Sequence, residues 1–305
     1  MLQARPELRS VWGEIQRVFP LRIPKSWWER IDLEDRGDPL GLQVVPHPGE
    51  AGEDLEGLDD PVGEELSAPV PLVVQKHRDR VVLLVTRACF LHCRYCFRRG
   101  MDLSPVSPDA LGRAVAWIRQ AGVREVILSG GDPLVLPDAR LLDLIDALRP
   151  QVPVVRIHTR GPVASPERIT EALARGLAAR APVWVVVSVN HPAELTPEAD
   201  RALATLVDAG VPVLNQAVLL RGVNADVEVL EALSSALVAR RVMPYYLHHT
   251  DHARGNAHLR VTLEEGLALH AELERRVSGL ALPRYVIDPP DGSGKVPVER
   301  WARSR

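Results

Sequence analysis

The chain has 305 residues, 46% of them hydrophobic and 25% charged, with a formal net charge of -3 at pH 7. That length holds one large α/β domain with a smaller appendage, or two modest domains, and the composition is that of an ordinary globular enzyme. The balance lacks the basic excess of a general nucleic-acid binder. The opening MLQARPELRSVW has no apolar core for a signal peptide, and the longest apolar runs are too short to span a bilayer. A cytoplasmic protein with no nucleic-acid and no membrane partner is expected.

Residues 1–75 begin with two helical patterns, VWGEIQRVF and SWWERIDLED. They run into a Gly-, Pro- and acid-rich stretch, PHPGEAGEDLEGLDDPVGEELSAPVP, which reads as an irregular connector. Residues 76–277 alternate short β-branched runs with amphipathic segments. The expected strands are VVLLVT, EVILSG, VVRIHT, VWVVVSV, VPVLNQAVLL and VMPYYLHH, with helices such as LGRAVAWIRQAG and ADRALATLVDAG between them. Six β-α repeats with strands apolar on both faces imply a parallel sheet covered by helices. Polar residues follow the end of nearly every strand, which favours a partial (β/α)6 barrel over an open doubly wound sheet. Residues 278–305 add a strand-like RYVID and a glycine loop, PPDGSGK, with no helix pattern expected after it.

All three cysteines, Cys89, Cys93 and Cys96, fall within eight residues directly after the first of these strands. An odd, clustered set is no disulfide framework. Three soft ligands on one tight loop can hold three irons of a cubane and leave the fourth open for chemistry. The alternative is a zinc site completed by His92 or another histidine. The turn Ser129-Gly130-Gly131-Asp132-Pro133 follows the second strand, where glycines permit close backbone approach; by itself it is equally a structural loop.

Positive charge here is almost always arginine: the only lysines are Lys25, Lys76 and Lys295. Lys295 sits in Asp291-Gly292-Ser293-Gly294-Lys295, and a guanidinium, which stays protonated, could not form an imine there. The competing reading is a surface lysine in a flexible turn.

The spacing Cys-x3-Cys-x2-Cys after a first strand resembles the radical-AdoMet superfamily signature. The stretches TRACFLHCRYCFRR, SGGDPL, RIHTRGPVASPERIT, NHPAELT, NQAVLLRGVN, PYYLHHTDHARGNAHLR and YVIDPPDGSGKVPV resemble the ordered motifs of the lysine 2,3-aminomutase family from about residue 27 to 297. The resemblance implies a [4Fe–4S] cluster on Cys89, Cys93 and Cys96, with S-adenosylmethionine (AdoMet) near Ser129, Gly130, Gly131, Asp132 and Gln216. It implies pyridoxal 5′-phosphate (PLP) on Lys295 with Lys76, His77 and Arg80 close by, although relatives commonly carry tyrosine at the His77 position. It further implies a substrate carboxylate on Arg98 and a substrate ε-ammonium on Asp251 and Asp288. Ser188 stands where longer members carry histidine. The expected reaction interconverts L-lysine and β-lysine; a glutamate or other amino-acid 2,3-aminomutase, or a non-catalytic cluster-binding relative, are the alternatives. The implied partners are the amino acid and an electron donor the sequence does not identify, with a homodimer left open. The chain ends ten residues after Lys295, so the cysteine-containing zinc extension of longer members is not expected.

Overall fold

The computed structural model describes residues 1–304. Runs of Val, Leu and Ile bounded by turn residues extend into seven parallel strands, as expected for side chains that pack well on a pleated surface buried on both faces. They are β2 (Arg80–Thr86), β3 (Glu125–Gly130), β4 (Val154–Thr159), β5 (Val183–Val187), β6 (Val213–Val218), β7 (Met243–His248) and β8 (Arg284–Ile287). Antiparallel strands β1 (Val73–His77) and β9 (Val296–Pro297) finish the two edges, and the nine strands follow one another in chain order around a curled half-barrel.

Short helices α1 (Trp12–Val18), α2 (Lys25–Trp28) and α3 (Gly41–Val44) precede the sheet. Around it run α4 (Pro108–Gln120), α5 (Asp138–Leu148), the short α6 (Gly161–Ala164), α7 (Glu171–Ala178), α8 (Pro197–Asp208), α9 (Val227–Ala239) and α10 (Leu263–Arg276), with α11 (Val298–Arg303) at the end. The starts of five covering helices are written in the sequence: Ser107, Thr170, Thr196, Asp226 and Thr262 each accept a first-turn N–H with the side chain. On α4 the buried positions Leu111, Ala114 and Ile118 fall at three- and four-residue spacing and face the sheet. One apolar cluster runs from Trp27 and Val44 through the strands to Val298. Among the described residues no helix is long and apolar enough to cross a membrane.

Four features differ from the sequence reading. A strand not expected from the sequence, β1, precedes VVLLVT; it holds Lys76 and His77, and its Val73 pairs with Leu83. The SWWERIDLED helix stops at Trp28, because Asp32, Asp35 and Asp38 bond the backbone N–H groups of Glu34, Gly37 and Gly41 and offer the chain a set of turns instead. The RYVI segment is a seventh parallel strand of the same sheet. A short helix, α11, does follow the glycine loop.

Candidate active site

The cysteine loop leaves β2 and is fastened from outside the barrel by the N-terminal region. The His92 N–H donates to the Arg22 carbonyl at 2.9 Å and the Arg94 N–H to the Gln43 carbonyl at 2.8 Å. Arg94, fully buried, donates from Nε to both Glu50 oxygens and from Nη1 to the Phe19 carbonyl, and Arg99 Nη2 reaches the same Glu50 at 2.5 Å. His92 stacks on Phe19 and its Nδ1 contacts the Pro20 carbonyl at 2.7 Å, so this ring is part of the clamp.

The glycine turn after β3 packs against the same loop. A Cβ on Gly131 would lie 2.2 Å from the Ala88 carbonyl oxygen, and one on Gly130 (φ +110°) 2.4 Å from that of Thr86. Here the missing side chains admit protein backbone, which makes this pair of glycines a fixture of the cysteine loop. Asp132 continues the brace: its carboxylate takes the Leu134 N–H, the Thr159 hydroxyl and the Arg160 N–H.

Inside the half-barrel lies a cavity of ≈ 340 Å³, within the range of small-molecule sites. Every candidate site residue named from the sequence except His92 lines it, although they come from β1, β2, β3, β6, the loops after β2, β3, β7 and β8, and the glycine loop. A cleft of ≈ 390 Å³ on the outer face, between Arg30, Glu167 and Arg201, gathers none of them.

The donor set at one end fits a cluster. Burial and mutual repulsion push the Cys89 and Cys96 thiols up, Cys96 to about 11, so a bound metal would have to displace their protons. As the side chains stand, no group of three or more His, Cys, Asp or Glu among the described residues is arranged to hold a metal ion. A cubane asks for less convergence, since its three sulfurs bind different irons.

At the other end burial lowers the Lys295 amine to about 8, against the opposing pull of Asp288 and Asp251. Its Nζ lies 5.1 Å from the centre of the Tyr246 ring. The glycine loop is laid on His77, where a Cβ on Gly294 would come within 2.7 Å of the imidazole. Burial, then the neighbouring Asp288, raises the Asp251 carboxyl to about 7. Two expected substrate contacts are already engaged by the protein. Lys76 Nζ bonds the Val62 carbonyl and pairs with Asp288 at 2.8 Å. Arg98 is held by Glu64 of the connector, and its Nη1 also reaches Ser129 Oγ and the Gly130 carbonyl.

Between the two ends, Gln216 Nε2 stands 3.3 Å from His158 Nδ1 and 3.5 Å from Ser188 Oγ. Burial holds His158 and His248 well below the usual imidazole range, hence neutral, and His158 Nε2 has no partner. Such an orphaned buried nitrogen suits a bound polar group. The sequence reading quoted both histidines inside motifs and gave them no role. Their signal was alternation: Arg156 and His158 on β4, and Tyr246 and His248 on β7, are pairs two apart on one strand face.

A family model described as the radical SAM superfamily matches residues 83–233. The chain is 41% identical over 294 residues to an L-lysine 2,3-aminomutase of Clostridium subterminale, covering 94% of this chain and 71% of that protein. It is 36% identical to a glutamate 2,3-aminomutase of Clostridioides difficile, covering 93% and 69%. Among solved structures, Streptococcus suis SuiB bound to S-adenosylmethionine superposes with a TM-score of 0.53 at 15% identity, covering 72% of this chain and 50% of that one, a likeness of fold.

Proposed function

The chain belongs to the lysine 2,3-aminomutase family of the radical SAM superfamily, and from that premise we propose that it interconverts L-lysine and β-lysine. Its cofactors are a [4Fe–4S] cluster, AdoMet and PLP. When bound, these supply a carbon-centred radical to remove hydrogen and a conjugated ring to stabilise unpaired electron density during the nitrogen shift.

In this reading Cys89, Cys93 and Cys96 hold the cluster. Ser129, Gly130, Gly131, Asp132 and Gln216 bound the AdoMet region, Asp132 by bracing its wall. Lys295 carries PLP, and a depressed proton affinity makes its Nζ available as a neutral amine. Lys76, His77 and Arg80 line the surrounding wall. Neutral His158 and His248 present nitrogen donors or acceptors without adding charge beside Lys295. Arg98 binds the substrate carboxylate in two-pronged fashion. Apolar Val81, Phe90 and Ile127 keep that space poor in water.

The observation that carries the choice of lysine is the far-end pair. Lys76 neutralises Asp288, whereas Asp251 has no cation bound to it among the described residues. A carboxylate left unmatched in a cavity attracts an ε-ammonium and repels the side chain of glutamate. The candidate residues all come from one chain, so the reading requires no second copy. An external one-electron donor is required, and a cytoplasmic setting, where thiols stay reduced, suits the three cysteines. The test is product analysis with anaerobically reconstituted protein: β-lysine should form from L-lysine and fail to form when AdoMet or PLP is left out. No β-amino product from lysine under any of these conditions would refute the reading.

A further inference from the structure

The family reading leaves Arg160, just past β4, without a role. Its side chain is buried and stacks over the Trp27 ring, 4.7 Å from guanidinium carbon to ring centre. Nη2 donates to Gln43 Oε1 at 2.5 Å and to Glu194 Oε2 at 2.9 Å, and Nη1 points to Cys93 Sγ at 2.9 Å. The backbone N–H is tied to Asp132. Few rotamers survive such confinement. The surroundings hold one end of this cation and aim the other at sulfur.

Glu194 is equally fixed. Fully buried, it accepts the backbone N–H groups of Asn190 and His191 and Gln43 Nε2 on one oxygen, leaving the other for Arg160. The Tyr95 hydroxyl accepts from Asn190 Nδ2 at 2.7 Å. Among the described residues, Cys93 is the sulfur that a guanidinium N–H reaches.

We propose that Arg160 is a positioning residue that sets the reduction potential of the cluster, through a charged hydrogen bond to Cys93 and with Glu194 as its opposing charge. This rests on the reading that Cys89, Cys93 and Cys96 hold a [4Fe–4S] cluster. One-electron reduction adds a negative charge to the cluster and its thiolates. A donor on a ligand sulfur and a nearby cation stabilise the reduced form and raise the potential, and such hydrogen bonds and net charge are established levers on these centres. In a dry interior the charge acts at close range with little screening. Trp27 and Gln43 thereby link the N-terminal region to the electronics of the cluster.

The test is a redox titration of reconstituted protein without AdoMet, followed by the electron paramagnetic resonance signal of the reduced cluster. Arg160→Gln is expected to reduce the ratio of reduced to oxidised cluster at a given potential about tenfold, equivalent to ~59 mV for a one-electron couple. Arg160→Lys keeps the charge and should restore most of that ratio. Glu194→Gln keeps Arg160 and removes its counter-charge, so its potential should move the opposite way, upward. A residue that only props the loop gives no such opposed pair. Unchanged potentials in Arg160→Gln and Glu194→Gln, or shifts of the same sign, overturn the proposal. If Arg160→Gln cannot retain its iron, Glu194→Gln decides: a potential equal to or below wild type overturns it. Wild-type protein without iron and sulfide would instead contradict the cluster reading underneath.

Discussion

Glu64 lies across Arg98 in a two-pronged ion pair, with Arg98 Nε donating to Oε2 at 2.8 Å and Nη2 to Oε1 at 2.5 Å. The connector thus places a carboxylate of its own on the guanidinium proposed for the substrate carboxylate. Around Glu64 the connector also touches the lysine loop: a Cβ on Gly63 would meet the Pro290 carbonyl at 2.6 Å, and Ser67 Oγ donates to the Gly292 carbonyl at 3.5 Å. Substrate must compete with Glu64. Glu64→Gln keeps the shape and removes the competing charge, so KM for lysine should fall about tenfold (~1.4 kcal/mol) with kcat little altered. Steady-state kinetics check this. A raised KM would mean that Glu64 holds Arg98 in place for the substrate.

Asp251 makes binding depend on pH near neutrality. Its carboxyl is raised to about 7, so it is charged above that pH and neutral below, while the lysine ε-ammonium stays charged throughout. KM for lysine should therefore rise as pH falls through about 7. Asp251→Asn should show a high KM with no inflection there, while retaining PLP. An unchanged inflection in the variant would assign the titration to another group.

Lys295 should react as an amine of pKa about 8. At pH 7 about a tenth of it is neutral, against about one part in three thousand for an unperturbed lysine. Borohydride reduction with PLP should place the pyridoxyl group on the DGSGK peptide, with yield rising through about pH 8. Asp251 raises the proton affinity of this amine, so Asp251→Asn should move the profile to lower pH. An adduct on Lys76 would reverse the assignment.

Glu50 should be the pin that keeps the N-terminal region on the cysteine loop. Almost wholly buried, it serves Arg94 and Arg99 together. Glu50→Gln leaves two buried guanidinium groups without their counter-charge, a loss expected to cost about 3–5 kcal/mol. Denaturant unfolding measures it. A loss below about 1 kcal/mol would show that hydrophobic packing through Trp27 carries the attachment.

The parallel strands and the cysteine loop were legible because their signals are local: β-branched runs for β2 to β7, and three cysteines on one loop. Lys295 stood out in the sequence by its rarity among arginines, and the fold buries it in the cavity lining. What escaped needed distance. Arg98 and Glu64 are 34 residues apart, Arg160 and Cys93 67, and Arg94 and Glu50 44. Each pair joins an arginine, one among many in the sequence, to a partner that only the fold brings near it. The glycines after β3 were read for ligand approach, but their empty Cβ positions face the cysteine loop itself. The aspartates of residues 32–38 end a helix that periodicity alone extends, because side chain–backbone bonds compete with helical ones.

The central claim is the choice of lysine, and a competition assay tests it most directly. Reconstituted protein, with AdoMet, PLP and a reductant, is given L-lysine and L-glutamate at equal concentration, and both β-amino products are measured at early times. The product ratio equals the ratio of kcat/KM values. An unmatched Asp251 predicts β-lysine in at least hundredfold excess, falling sharply in Asp251→Asn. β-Glutamate equal to or above β-lysine from the wild-type protein would contradict the account.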